Sequence, residues 1–207
     1  MMTSFNAPIH FLLNNEEVVA HEPPGLLVLD YLRRKRRLVG TKEGCKEGDC
    51  GACAVLVGDF QEEGQLVYQP ATSCLIPLGE LAGKHLVTIE GINPETGLSP
   101  LQQAIVEEGG TQCGYCTPGI VVSMTHAVIS SRSHVTSDVM ETALSGHLCR
   151  CTGYASLKRA GALMMKGWSE QEKAREDGNF EHQIGCLVAK GMLPAYFNTI
   201  PDRLRAA

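Results

Sequence analysis

No apolar run in this 207-residue sequence approaches the roughly 18–20 residues that a membrane-spanning helix needs. The opening stretch, MMTSFNAPIHFLLNNEEVV, lacks a basic segment followed by a long apolar one, so no secretory signal is read there. Arg33-Arg34 lies too deep in the chain, inside a helical pattern, to serve as a twin-arginine signal. These absences point to a cytoplasmic chain. A basic excess is missing too: the formal net charge is -5, which argues against nucleic acid as the main partner. The seven histidines show no H-x3-H or comparable ligand spacing. There is no phosphate-binding glycine motif, no Ser/His/Asp grouping, no internal repeat and no low-complexity segment. No substrate site is therefore expected in this chain. With 43% apolar and 20% charged residues, the composition is that of an ordinary globular protein.

Cysteine, by contrast, is abundant. Nine stand at 45, 50, 53, 74, 113, 116, 149, 151 and 186. An odd count without an export signal fits metal ligation better than a disulfide framework. In GHLCRCTGY, Cys149 and Cys151 are one residue apart. A disulfide between them would be strained, because bridging needs Cα atoms roughly 4.4–6.8 Å apart and converging Cβ vectors. Two thiolates on one side of a loop can instead share a metal site.

Eight of the cysteines form two sets of four. The first is Cys45, Cys50, Cys53 and, further on, Cys74, with the leading three inside TKEGCKEGDCGAC. This C-x4-C-x2-C…C spacing is the plant-type ferredoxin pattern for a [2Fe–2S] cluster. Gly44, Gly48 and Gly51 allow the tight turns and close backbone approach that a cluster-wrapping loop requires. Backbone N–H groups so exposed offset the cluster's negative charge. Structural zinc sites favour paired short knuckles over three cysteines in one glycine-studded loop. The second set is Cys113 and Cys116 in QCGYCTPG, with Cys149 and Cys151 in LCRC. Spacing alone leaves iron and zinc both open here. Both pairs fall at expected helix termini, where N–H groups favour anionic ligands.

The surrounding pattern suggests an α+β chain. IHFLLNNEEVVAHEP alternates around Asn14-Asn15 and predicts a hairpin. LLVLDYLRRKRR predicts a helix, and CAVLVGDF, QLVYQ and HLVTIE predict strands. GINPETGLSP, at 91–100, predicts a linker. Four short helices follow. Ser99-Pro100 and Thr117-Pro118 act as N-cap and first-position pairs for two of them. TSDVMETALSG and ASLKRAGALMMKG form the others. The expected division is 1–91, 92–168 and a tail, 169–207. The tail starts charged, becomes apolar and shows no clear period. It is expected to be a linker and an extended arm, lying on a partner or along its own domain.

With these motifs in place, a resemblance emerges. EGCKEGDCGAC, QCGYCTPG and LCRCTGY, in that order, resemble the iron–sulfur subunit, or N-terminal iron–sulfur region, of the molybdenum hydroxylases. That family includes xanthine dehydrogenase, aldehyde oxidoreductase and carbon monoxide dehydrogenase, and the resemblance covers about residues 8–165. LPAYFNTIPDRL is similar to the connector leading to the flavin domain in xanthine dehydrogenases, so a separate-subunit relative of that branch is expected. The resemblance implies a β-grasp domain with the cluster nearer the flavin, and a four-helix bundle with the cluster nearer the molybdenum. It implies a molybdopterin-binding partner and an FAD-binding partner, in a heterotrimer or a dimer of heterotrimers that hydroxylates a heterocycle or aldehyde with oxygen from water. It puts Gln112 and Cys151 beside the pterin. One departure is His147, where the family often has Asn. It is expected to be a helix C-cap residue or to face solvent, or else to bond a cluster sulfur or a partner backbone.

Other residues invite blander readings. Cys186 is expected to be a buried free thiol, and RRKRR (33–37) a solvated face or subunit contact. Met164, Met165 and Trp168 are expected in core or interface packing. Two further functions compete with the first: a free two-cluster electron carrier and a zinc-stapled interaction module.

Overall fold

The structure, a computed structural model, describes residues 7–62, 64–131, 135–166 and 180–206. Strands β1 (Ile9–Leu13) and β2 (Glu16–Ala20) form the expected hairpin. Asn14 turns it with a positive φ of 54°. Its side chain also holds a residue 74 positions later in the chain, accepting from the Thr88 N–H at 2.9 Å. Helix α1 (Val28–Asp30) runs on as a π-helical turn, Tyr31–Lys35. Strands β3 (Ala54–Phe60) and β4 (Leu66–Thr72) pair antiparallel. β5 covers only His85–Val87, because a short helix, α2 (Ile89–Ile92), takes the end of the predicted strand.

The sheet order is β2-β1-β5-β3-β4, with β1 and β5 parallel and the other pairs antiparallel. Neighbouring residues on a strand point to opposite faces, and here both faces are covered. Phe11, Leu13, Val55 and Leu86 pack with Tyr31 and Leu32 of the α1 region. Leu12, Leu56, Tyr68 and Val87 join the helical layer on the other side.

That layer holds α3 (Pro100–Glu107), α4 (Thr117–Ser130), α5 (Ser137–Ser145) and α6 (Ala155–Lys166), which pack on one another. Ser99 caps α3 with a reciprocal box: the Gln102 N–H donates to its hydroxyl, and its own N–H donates to the Gln102 side chain at 2.9 Å. α4 is the central helix. Ile120, Val121, Val122, Met124, Val128 and Ile129 are all buried, as expected of a helix packed on several sides. Its N-cap is Cys116, one residue earlier than the expected Thr117. Met164 is buried and Met165 packs against the same core. Trp168 lies outside the described residues. The architecture is a mixed sheet plus several helices, α+β as expected.

The tail differs from the extended arm. Residues 169–179 lie outside the described part, but beyond them the chain is helical: α7 (Phe180–Ala189), a 3-10 turn (Ala195–Thr199) and α8 (Ile200–Ala206). The signal was Ile184, Leu187 and Val188 at helical spacing, masked by Gly185. This strap lies on its own chain. Gln183 donates to the Ile129 carbonyl of α4 at 2.8 Å, and Tyr196 donates to the Gly91 carbonyl at 2.8 Å. Arg203 bonds the Asn15 side chain at 2.9 Å. Phe197, 1% exposed, stacks among Tyr68, His85 and Tyr196.

His85 is enclosed there. Its Nε2 faces the Asn14 carbonyl at 2.9 Å and so carries the proton, which leaves Nδ1 to accept from the Tyr68 hydroxyl at 2.7 Å. The basic run 33–37 is surface structure. Arg34 pairs with Asp30 at 3.4 Å, Arg36 with Glu16, and Arg33 donates to the Thr41 carbonyl at 2.8 Å.

Candidate iron–sulfur centres

The first cysteine set sits on the loop between α1 and β3, plus the turn after β4. Gly48 and Gly51 have φ values of 86° and 71°, left-handed backbone that glycine adopts without strain. Gly44 serves differently: a Cβ there would run into the Cys50 sulfur. The loop turns backbone donors inward. The Cys45 N–H donates to Cys50 Sγ at 3.4 Å, and the Glu47 N–H to Cys45 Sγ at 3.3 Å. The N–H groups of Glu47 and Cys50 pull the Cys45 thiol down to about 7. Burial pushes Cys53 up to about 11. Cys53 and Cys74 are packed with Leu29, and Ser73 fixes this end by donating its hydroxyl to the Cys53 carbonyl at 2.7 Å.

The second set forms where the start of α4 meets the loop between α5 and α6. Cys113 Sγ and Cys151 Sγ are 3.6 Å apart, and both residues are exposed. Cys116 and Cys149 interact through their side chains. Burial pushes Cys116 up to about 12. Burial opposes ionisation of Cys149 as well, but the Thr152 hydroxyl and backbone outweigh it and bring the thiol down to about 7. Tyr154, at φ 65°, braces this loop. Its hydroxyl donates to the His147 carbonyl at 2.7 Å and accepts from the Cys149 N–H at 2.8 Å.

The two sets are neighbours. A cavity of ≈ 210 Å³ is lined by Gly44, Cys50 and Ala52 from the first loop and by all four cysteines of the second. The Leu148 N–H donates to the Cys50 carbonyl at 3.0 Å, and the Tyr115 hydroxyl donates to the Glu43 carbonyl.

The thiols also answer which group they fit. Each set contains two pairs whose side chains interact: Cys45 with Cys50 and Cys53 with Cys74, then Cys113 with Cys151 and Cys116 with Cys149. A two-iron cluster held by four thiolates takes them two to an iron. One zinc ion would draw all four to about 2.3 Å from a single point. The donor set therefore fits a [2Fe–2S] group in both places.

Gln112, next to Cys113 in the chain, is exposed, as are Cys113 and Cys151; Tyr115 and Leu148, which line the same cavity as these two cysteines, are exposed at 49% and 66%. Cys186 is free and half-buried, 3.7 Å from His182 Nε2, and joins neither set. His147 departs from the solvent-facing expectation: it is 4% exposed, and its Nε2 lies 2.7 Å from the Ser123 hydroxyl of α4. Burial pushes its imidazole down to about 4. Spacing missed it, because the residues that enclose it come from the Gly51 loop and from α4.

Comparison with known proteins gives the same picture. Residues 11–79 match a family described as the 2Fe-2S iron-sulfur cluster binding domain, and 88–162 one described as the [2Fe-2S] binding domain. Xanthine dehydrogenase of Blastobotrys adeninivorans is 38% identical over 214 residues, covering 91% of this chain and 15% of that protein. Aldehyde oxidase 1 of Cavia porcellus is 41% identical over 161 residues, covering 76% of this chain and 12% of that protein. The chain thus spans less than a sixth of these relatives. Among solved structures, quinoline 2-oxidoreductase from Pseudomonas putida 86 superposes with a TM-score of 0.65 at 28% identity, covering 79% of this chain and 99% of that one. Aldehyde oxidoreductase from Desulfovibrio gigas gives 0.65 at 29%, covering 81% and 18%.

Proposed function

Because this chain belongs to the [2Fe–2S] iron–sulfur proteins of the molybdenum hydroxylase family, we propose that it is the electron-transfer subunit of a molybdenum-dependent oxidoreductase. Cys45, Cys50, Cys53 and Cys74 hold one cluster, and Cys113, Cys116, Cys149 and Cys151 the other. The chemistry these groups supply when bound is one-electron transfer, from a molybdopterin centre towards a flavin, both held by partner subunits. The observation that carries this reading is the sorting of eight thiols into two sets of paired sulfurs that share a cavity at Cys50.

The chain's own residues do three things in this reading. The inward N–H groups of Cys45 and Glu47 stabilise sulfur in its anionic form. The contact between Cys50 and Leu148 keeps the sets adjacent. The exposed Gln112, Cys113 and Cys151, with Tyr115 and Leu148 beside the cysteines, offer a surface at which a molybdopterin can approach, with the Gln112 amide able to hydrogen-bond it. We assign a β-grasp domain to 1–91 and a four-helix bundle to 92–168. The reaction is hydroxylation of a heterocycle or aldehyde with oxygen from water, in keeping with relatives named xanthine dehydrogenase, aldehyde oxidase and quinoline 2-oxidoreductase. The partners form a heterotrimer, or a dimer of heterotrimers, in the cytoplasm.

The test is metal analysis of the undissociated native protein. The expected result is about four irons per chain and molybdenum in the same particle, with no zinc. Four irons and no molybdenum would favour a free electron carrier. Two irons plus zinc would overturn the assignment of the second set.

A further inference from the structure

We propose that His147 is a positioning residue that fixes the first cysteine set against the second, an inference that rests on the two-cluster reading above. Its ring fills the junction of three segments, each beside an assigned ligand: the Gly51 turn next to Cys50, the first turns of α4 after Cys116, and the strand of loop before Cys149. The fit is tight on two sides. A Cβ on Gly51 would lie under 3.0 Å from the His147 ring, and one on Gly119 would lie 3.3 Å from Cε1. Gly119 also rests on the Gly51 carbonyl, so that a Cβ there would collide with it. The ring therefore takes up space that both glycines leave free. Its orientation is held by one bond, Nε2 to the Ser123 hydroxyl at 2.7 Å. On a further side it borders a cavity of ≈ 810 Å³, into which it can swing once that bond is lost. The main chain carries the ring's position to both ligand loops: the His147 carbonyl holds the Tyr154 hydroxyl, and the next N–H holds the Cys50 carbonyl. Close-packed interiors transmit such displacements rather than absorbing them. The ring thus sets the separation of the two sets.

The experiment uses the full chain loaded with both clusters. Doubly reduced protein is examined by low-temperature electron paramagnetic resonance, where the dipolar splitting between two reduced clusters falls with the cube of their separation. His147→Ala is expected to narrow or abolish the splitting, while iron per chain and the spectrum of each singly reduced cluster match the parent. His147→Gln, whose amide can still reach Ser123, is expected to restore it. An unchanged splitting in fully loaded His147→Ala overturns the proposal. If His147→Ala does not take up iron, Ser123→Ala replaces it: a smaller narrowing supports the proposal, and the parent splitting overturns it. Absence of iron signals in the unsubstituted chain would sink the two-cluster reading itself, and this inference with it.

Discussion

The Leu148 N–H donates to the Cys50 carbonyl at 3.0 Å, while the Leu148 side chain is 66% exposed. Backbone and side chain can therefore be separated by substitution. Leu148→Ala keeps the N–H and is expected to leave stability unchanged. Leu148→Pro removes the donor, and an acceptor left unpaired costs about 1–3 kcal/mol. Thermal unfolding of the two variants side by side measures this. Equal melting temperatures would mean the contact contributes nothing.

Cluster-selective loss follows from the assignment of ligands. Cys74→Ser and Cys116→Ser each remove one member of a different set. Iron in each variant is expected to fall from about four to about two per chain, with different residual spectra. Loss of all iron in both would mean that the two sets do not load independently.

Gly51→Ala and Gly83→Ala share a backbone demand, at φ 71° and 72°. They differ in space: a Cβ at Gly83 meets nothing within 4 Å, whereas at Gly51 it meets the Gly146 carbonyl and the His147 ring. Gly83→Ala is expected to cost only the conformational strain, about 1 kcal/mol. Gly51→Ala is expected to cost clearly more. Denaturant midpoints of the two variants provide the comparison.

His85 makes the fold sensitive to acid. Burial, opposed by its bond to Asn14, holds the imidazole down at about 3, from an ordinary value of 6.5. The unfolded chain therefore binds a proton at a pH where the folded one does not. Its stabilising effect is complete above pH 6.5 and is lost as pH falls from there towards 3. Each unit of such a difference is worth about 1.4 kcal/mol. His85→Gln is expected to be less stable at pH 7 but to lose less stability between pH 6.5 and 4. Parallel slopes for the parent and the variant would refute this.

The strap is testable through Phe197, which is 1% exposed against Tyr68 and His85. Phe197→Ala is expected to destabilise by about 3–5 kcal/mol, as read from chemical unfolding. A change below 1 kcal/mol would mean that the strap is only loosely laid on the sheet.

Local chemistry was legible in the sequence, and distant enclosure was not. Cysteine spacing, the Asn14 turn and the Ser99 cap each depend on a few neighbouring residues, so the residues announce them. Which thiol touches which depends on two loops meeting, and no spacing encodes it. His147 looked like a surface residue because Gly51, Gly119 and Ser123, which surround it, stand far away along the chain. Gly51 read locally as a turn former and Gly119 as part of a helix, when both also make room for a ring. The tail lies along its own chain, one of the two expected placements, but is helical rather than extended; Gly185 blurs a helical pattern that contact with α4 and the sheet sustains.

Arg203 on α8 bonds Asn15 in the first hairpin, 188 residues away. During synthesis at about 5–20 residues per second, the hairpin emerges roughly ten to forty seconds before its partner does. Through that interval the face of the sheet around Tyr68 and His85 has no cover from Phe197. A nascent chain of this kind offers a sticky apolar surface to chaperones throughout that interval, and iron delivery to the first cysteine loop can begin while that surface is still open.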